Sequence, residues 1–446
     1  MYKIPLSELQ TRRDRVAELM PANSILVLFS AEVQTRNADT EYPFRQDSDF
    51  WYLTGINEED GVYVLKLDHD RNREEYLYVA PFDPSKEQWT GKKLGKDGAA
   101  EVSGIEAVSD HPQFEQDWPE LFGGGTEVFV DLGGQSYREL RNRLGRYLTD
   151  DARRGVTERI ESVSRTNLMM SQLRGFKSDW EGEQMRISAR IAVEAHERMY
   201  RALVEGMKKG DVYEYQLEAE LLYGFRKEGA PWSYPPIVAT GANACTLHYT
   251  ANDAKVGQND LVLVDAGCEY GYYASDITRC YPASGTFTEP QKRVYNTVLK
   301  AQYAALDEAA REGGTTGSIH ETAIRVLTEG LVELGVLSGD VDELIENREY
   351  ARYYMHGTGH YIGLDVHDVG TYRSLEGTRA SVSFEPGMAI TIEPGLYFTA
   401  DDETVPAELR GIGVRIEDDI VKTDSGIENL TEAIPKEIDQ LESLIQ

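Results

Sequence analysis

Hydrophobic residues in this chain follow two rhythms. Up to about residue 172 they come in short runs, and beyond it many recur every three or four positions. Ile25-Leu26-Val27-Leu28-Phe29 predicts a buried strand, and Val62-Tyr63-Val64-Leu65, Tyr76-Leu77-Tyr78-Val79 and Val128-Phe129-Val130-Asp131 predict three more, the last closing the pattern. A polar helix is expected over Leu6–Met20. Together these make an α/β domain of residues 1–172, from which the Arg-rich stretch Arg138 to Arg165 carries the chain across. Two stretches fit neither rhythm. Asp39 to Gly55 is too polar for a core strand and too aromatic for a linker, so it is expected to pack at an interface. Lys86 to Gly91 reads as a loop whose Trp89 is half-buried packing or, less simply, a ligand contact.

Residues 173–446 read differently. Ser178-Asp179-Trp180-Glu181 forms a capping box ahead of Ile191, Ala195, Met199 and Leu203, which predicts a long helix. Thr288-Glu289-Pro290-Gln291 stands likewise before Val294, Val298, Ala301 and Ala305, and Ser318-Ile319-His320-Glu321 before Ile324, Leu327, Leu331 and Leu334. His196 and His320 fall on these helices and are expected to be structural. Strands are expected at Ile237-Val238, Leu261–Ile277, Met388–Glu393 and Ile412–Val421. Helices and hairpins without strict β-α-β alternation indicate α+β with an antiparallel or mixed sheet.

Within Leu261–Ile277 the apolar run breaks on Asp265 and returns on Asp276. A turn at Glu269–Tyr272, with Gly271 supplying the permissive backbone, sets the two aspartates opposite each other. Opposed side chains have Cβ atoms roughly 4.5–5.5 Å apart, and carboxylates at that distance repel unless a cation lies between them. Either a metal ion sits there, or a bulge offsets the pair and Asp276 is solvated; the hairpin alone leaves both open.

Composition narrows the field. A chain of 446 residues is long enough for two domains. Its 77 acidic against 46 basic residues, a formal charge of −31, argue against nucleic acid and anionic membranes as partners and say little else about ligands. Cys245, Cys268 and Cys280 lack C-x-x-C spacing, so neither a disulfide framework nor a structural zinc knuckle is expected. Met1 to Ser7 lacks the apolar core of a signal peptide, and no later run approaches the ~20 residues of a membrane span. A cytoplasmic protein is expected.

The candidate chemistry lies late in the chain. In His356-Gly357-Thr358-Gly359-His360 two glycines make a helix unfavourable, so the histidines are expected on a loop or strand entry, and His367 follows closely. Three histidines clustered at loop positions point to a ligand or catalytic role. Glu393 ends an apolar run before Pro394-Gly395, and Glu417 interrupts a strand at Arg415-Ile416-Glu417, repeating the placement of Asp265. An acid at a core-facing strand position is costly unless paired, and Arg415 or a metal can pair it. Four such acids with one histidine make a ligand set for two divalent ions sharing carboxylate bridges. Its oxygen-rich composition favours Mn²⁺, with Co²⁺, Fe²⁺ and Zn²⁺ also admissible. Paired ions ~3.5–4 Å apart can hold a bridging hydroxide as nucleophile.

The order Asp265, Asp276, His360, Glu393, Glu417, in the words Val264-Asp265-Ala266-Gly267, His356-Gly357-Thr358-Gly359-His360, Ile392-Glu393-Pro394-Gly395 and Arg415-Ile416-Glu417-Asp418, resembles the dinuclear pita-bread metallopeptidases, and among them the Xaa-Pro aminopeptidases (aminopeptidase P). Tyr42 to Phe50 resembles that family's N-terminal domain. The resemblance implies a creatinase-like α/β domain over 1–172, serving oligomerisation and active-site access, followed by a pita-bread catalytic domain over 173–446. It implies two Mn²⁺ ions, with Asp276 and Glu417 bridging both, Asp265 completing one site, and His360 with Glu393 completing the other. By the same likeness His248, His356 and His367 position substrate and stabilise a tetrahedral intermediate, Tyr397 and Arg415 support them, and Trp89 matches a residue lent to a neighbouring subunit's active site. The implied substrates are peptides with proline in second position, and the implied assembly is a homodimer or homotetramer. Prolidase shares the ligand set, creatinase-like chemistry shares the fold without needing all five ligands, and a non-catalytic binding protein of this fold is the remaining alternative.

Overall fold

The structure, a computed structural model, describes residues 3–85, 87–122, 126–131, 160–372 and 381–444. The chain divides into two compact units, Met1–Leu173 and Arg174–Gln446. Most of the expected crossover from Arg138 to Arg165 lies outside the described residues.

In the first unit β1 (Ser24–Phe29) is an inner strand buried along its whole length: β2 (Val62–Leu67) pairs antiparallel along one edge, Thr126–Val130 pairs parallel along the other, and Phe114 and Trp118 pack on Ile25, Val27 and Phe29. Continuous hydrophobicity is what a strand covered on both faces requires. With Arg73–Val79 as β3, Val108–Asp110 as β4, Thr126–Val130 as β5 and Ile160–Arg165 as β6, the mixed sheet runs β4-β3-β2-β1-β5-β6. The sequence pattern contains neither edge strand, so β5 does not close the sheet as expected. Val-Ser-Asp and Ile-Glu-Ser-Val-Ser-Arg are too polar to register as apolar runs, and edge strands tolerate that.

Helix α1 (Leu6–Leu19) is polar as expected, yet Arg12 and Arg13 are both buried. Their guanidinium groups donate to the carbonyls of Tyr52 (3.1 Å), Leu53 (2.9 Å) and Ser103 (3.0 Å), which satisfies charges that would otherwise be costly inside. The aromatic stretch Asp39 to Gly55 is divided: Asp39 to Pro43 is exposed, Tyr42 by 54%, while its second half packs inside its own unit. Asp47 accepts from the Phe50 amide at 2.9 Å to start α2 (Ser48–Thr54), Gly55 ends it at φ +69°, and Phe50, Trp51 and Leu53 are buried in the unit's own interior. Trp89 is not half-buried either: it stands on the one-turn helix Glu87–Thr90 and is 86% exposed.

The second unit is α+β with antiparallel strand pairs. Its long helices are α3 (Asp179–Lys209), α4 (Glu214–Lys227), α5 (Glu289–Ala310) and α6 (Thr316–Glu333). The Ser178–Glu181 box holds α3 as expected. The box expected at Ser318 does not form, because α6 starts earlier: Thr315 accepts from the Ser318 amide, and Ser318 accepts from that of Thr315, both at 2.9 Å. Besides the two-rung hairpin at Glu269–Ala274, apolar faces of these helices cover three small sheets. Ile237–Thr240 (β7), Leu261–Asp265 (β8) and Thr278–Pro282 (β9) form the first, in the order β9-β8-β7; Ala389–Ile392 (β10), Asp418–Thr423 (β13) and Gly426–Asn429 (β14) form the second, in the order β10-β13-β14; Gly395–Phe398 (β11) and Ile412–Arg415 (β12) form the third. Ile412–Val421 is thus two strands in two sheets rather than one. Between them the Ile416 amide bonds Pro394 O and the Glu417 amide bonds Thr278 O, so the chain changes partners at Glu417.

The hairpin register also differs from expectation. Asp265 pairs with Thr278, and the inner pairs Glu269–Ala274 and Tyr270–Tyr273 put the turn at Gly271 (φ +57°) and Tyr272 (φ +73°). The turn is shifted one residue along, so Asp276 lies two positions short of the rung facing Asp265.

Candidate metal centre

Four strand ends and one loop bring the expected donors together. Asp265 terminates β8, Asp276 precedes β9, Glu393 follows β10 and Glu417 occupies the break before β13. His360 is held against β10, its amide donating to Thr391 Oγ1 (3.2 Å) and its carbonyl accepting from the Thr391 amide (2.8 Å). Asp265, Asp276, His360, Glu393 and Glu417 line one cavity of about 380 Å³ together with His248, His356, His367 and Arg415. Asp276, His360 and Glu417 each offer a donor atom within 4.8 Å of the others. Tyr397 is buried behind the wall, accepting from Arg415 Nη1 at 3.0 Å and bonding His356 Nε2 at 2.8 Å. The loop at His356–His360 is not helical, as its glycines required; a Cβ on Gly359 would lie 1.9 Å from the Thr391 carbonyl oxygen.

Charge in this cavity is unbalanced. Four carboxylates face the guanidinium of Arg415, which donates to Asp265 at 2.7 Å and to Thr278 Oγ1 at 3.1 Å. Burial, joined by the neighbouring carboxylates, pushes Glu417 well up and Glu393 to about 7, and burial raises Asp265 even against Arg415. Burial also pushes Asp276 up, but its contact with His360 outweighs this and holds it below the usual range. Burial pulls His360 down, while Asp276 and Glu393 override it and lift the imidazole to about 9. A carboxylate cage that draws a histidine toward its cationic form has the electrostatics of a cation site. Geometry agrees: His360 Nδ1 lies 3.0 Å from the Tyr361 carbonyl and keeps its proton there, so Nε2 is the nitrogen turned to the acids, the one where a metal ion would take the place of the second proton. The donor set fits divalent metal.

Three further residues, which no motif or hydrophobic pattern marks, complete the cage. The Tyr234 hydroxyl lies 2.5 Å from both Asp265 Oδ1 and Asp276 Oδ1. Thr278 donates to Glu417 Oε2 at 2.7 Å. Asp419, fully buried, accepts from the Asp276 amide at 3.0 Å. Next to Glu417, Asp418 is anchored by Arg279 at 2.6 Å and by Lys436, which fixes the strand beneath the cavity. His196, one of the two helix histidines, is structural as expected: it is buried, donating to Ala266 O at 2.9 Å. His320 bonds Thr358 Oγ1 at 2.7 Å, behind the His356–His360 loop.

Carboxylates and an imidazole carried on the ends of short antiparallel strands under a helical cover are the marks of a metal-dependent hydrolase of the pita-bread type. The chain belongs to metallopeptidase family M24, whose model matches residues 183–424, and residues 9–129 match the aminopeptidase P N-terminal domain. It is 39% identical to the Xaa-Pro aminopeptidase of Escherichia coli, covering 100% of this chain and 99% of that one. Among solved structures, Pseudomonas aeruginosa aminopeptidase PepP superposes with a TM-score of 0.92 at 42% identity, and a glutamate-to-alanine variant of Escherichia coli aminopeptidase P in complex with substrate gives 0.91 at 39%, each over 100% of this chain and 99% of the other. Among the described residues no helix is long and apolar enough to cross a membrane.

Proposed function

We propose that this chain removes the N-terminal residue from peptides whose second residue is proline, using two divalent ions, Mn²⁺ first among them. The observation that carries the reading is the meeting of Asp265, Asp276, His360, Glu393 and Glu417 in one cavity of a chain related end to end to Xaa-Pro aminopeptidases. Asp265, Asp276, His360, Glu393 and Glu417 would hold the ions. Bound there, the pair would supply Lewis acidity toward the scissile carbonyl and a hydroxide nucleophile at neutral pH.

The chain's own groups do the rest. Glu393 takes the nucleophile's proton and passes it to the proline nitrogen as the bond breaks. His367 donates to the developing oxyanion, and its ring meets that of His360 edge-on at 4.2 Å, which fixes its direction. His248 and His356 hold the peptide. His356 is oriented by the chain His356–Tyr397–Arg415–Asp265, so substrate side and ligand side share one hydrogen-bonded frame. Burial, with Arg415 nearby, pulls His356 down to about 4, so it meets substrate as neutral imidazole. The substrate's α-ammonium finds its countercharge among the cavity's carboxylates, which confines cleavage to chain ends.

The test is a series of Xaa-Pro, Xaa-Pro-Yaa and Xaa-Ala-Yaa peptides after Mn²⁺ loading. Xaa-Pro-Yaa should be cleaved well, Xaa-Ala-Yaa poorly. Turnover confined to the dipeptide would make the protein a prolidase, and no turnover with metal bound would make it a binding protein. Glu393→Ala and His360→Ala should each abolish cleavage while keeping the fold; retained activity in either would refute the residue roles.

A further inference from the structure

Among the described residues Glu214 forms no ion pair, yet it is completely buried. It is the first residue of α4, and its carboxylate collects four donors. Oε1 accepts from the Thr240 amide at 2.7 Å and Asn243 Nδ2 at 3.1 Å; Oε2 accepts from the Tyr249 hydroxyl at 2.8 Å and the Ala254 amide at 2.9 Å. Four donors converging on two oxygens demand a group that only accepts, which means an ionised carboxylate. A buried charge of that kind is expensive, and its neutral partners indicate what it holds.

All four donors belong to one segment. Thr240 ends β7, Ala254 is where the chain returns beside α4, and Asn243 and Tyr249 lie between them. The same segment carries Leu247 and His248, which face the metal cavity on the other side. Tyr249 is the neighbour of His248, so the back of the segment is pinned one residue from where its front meets substrate. Asn243 also donates to Tyr249 at 3.1 Å, closing the clamp on itself.

We infer that Glu214 is a positioning residue for His248: acting through Tyr249 and the two amides, it sets where the His248 imidazole stands over the substrate. The inference rests on the peptidase reading for the role of His248. The clamp itself can be read without activity. Glutamine at 214 presents an NH₂ to donors and so loses bonds at unchanged size.

Two measurements decide it. In the full-length, metal-loaded protein, Glu214→Gln and, more mildly, Tyr249→Phe should speed amide hydrogen exchange across residues 241–254 at least tenfold, with thermal midpoint and metal content close to wild type. Tyr249→Phe should also lower kcat/KM on Xaa-Pro-Yaa by about tenfold, short of the ~10²-fold that a 1 Å misplacement can cost. In a His248→Ala background the same change should cost less than about twofold, because groups acting through one residue are not additive. Unchanged exchange in both variants would overturn the inference, as would an equal loss in both backgrounds. Should the wild type fail to cleave Xaa-Pro-Yaa, the peptidase reading falls while the exchange result still decides the clamp. If Glu214→Gln does not fold, Tyr249→Phe alone carries both readouts.

Discussion

Tyr234 has one proton to give and two carboxylates within 2.5 Å to receive it. Burial and the charges of Asp265 and Asp276 push its phenol well above the ordinary range, so it remains a donor and never becomes a third anion. Nothing in Pro231-Trp232-Ser233-Tyr234-Pro235-Pro236 announces this, because a lone tyrosine between prolines carries no period and no partner in sequence. His196 is the opposite case: its helical position marked it as packing, and packing is what it does. That gives a test by pH. Burial, reinforced by Arg279, pulls its imidazole from 6.5 to about 4 in the folded protein, despite the Ala266 carbonyl that favours the proton. Between those values the unfolded chain holds a proton that the folded chain refuses, so stability is full above 6.5 and declines as pH falls toward 4. At ~1.36 kcal/mol per pH unit, the decline from pH 7 to 5 amounts to roughly 2 kcal/mol. His196→Gln should lack that component. Urea unfolding at the two pH values reads it, and parallel declines in wild type and variant would show that His196 titrates normally in the fold. The four acids, His356 and His360 were legible because each breaks an apolar run or frames a glycine loop, and His367 because it follows closely; His248, in Thr246-Leu247-His248-Tyr249-Thr250, was marked only by the family resemblance. Tyr234, Thr278 and Asp419 were not legible, since a supporting hydrogen bond leaves no trace in hydrophobic pattern.

At the scale of elements, the hairpin shows what a period of two can and cannot fix. A continuous apolar run identified β8 and the hairpin it opens, but a turn misplaced by one residue moves every opposite pair by two. The true register depends on contacts that pattern does not encode, above all the close approach at Gly267. A Cβ there would lie 1.7 Å from the Ser275 carbonyl oxygen, between the bonds Ala266 N–Ile277 O (3.0 Å) and Ser275 N–Cys268 O (2.9 Å). Backbone cannot yield as a flexible side chain can, so Gly267→Ala must part the two strands that carry Asp265 and Asp276. It should cost roughly 3 kcal/mol in denaturant unfolding, at the upper end for overpacking, and the folded fraction should retain less Mn²⁺ after gel filtration. Gly210→Ala is the control, because a Cβ there meets nothing within 4 Å. If Gly267→Ala binds metal and unfolds as the control does, the hairpin spacing is not what holds the aspartates. The split of Ile412–Val421 into β12 and β13 has the same origin: strand-forming residues on both sides of Glu417-Asp418-Asp419 read as one strand even where the hydrogen bonds change sheets, and here the change puts Glu417 into the cavity.

For the whole molecule, a formal charge of −31 means that any cation stabilises somewhat by screening, so a metal effect must be separated from a salt effect. The cavity supplies the distinction. Asp265, Asp276, Glu393 and Glu417 are crowded beside one guanidinium, and this repulsion is a standing cost that a divalent ion bound among them would offset. Mn²⁺ at about 100 times its dissociation constant should add about 2.7 kcal/mol to the unfolding free energy, at constant ionic strength, with NaCl as the reference. Glu393→Gln separates the two contributions. It removes one of the crowded charges at nearly constant volume, so in excess chelator the variant should be at least as stable as wild type, the usual relation between a functional site and stability. In Mn²⁺ it should fall behind, having lost a ligand. Thermal unfolding of both proteins in chelator and in Mn²⁺ gives four midpoints, and the order should cross between the two conditions. Equal Mn²⁺ shifts in wild type and variant would mean that the acidic surface, and not these carboxylates, takes up the metal.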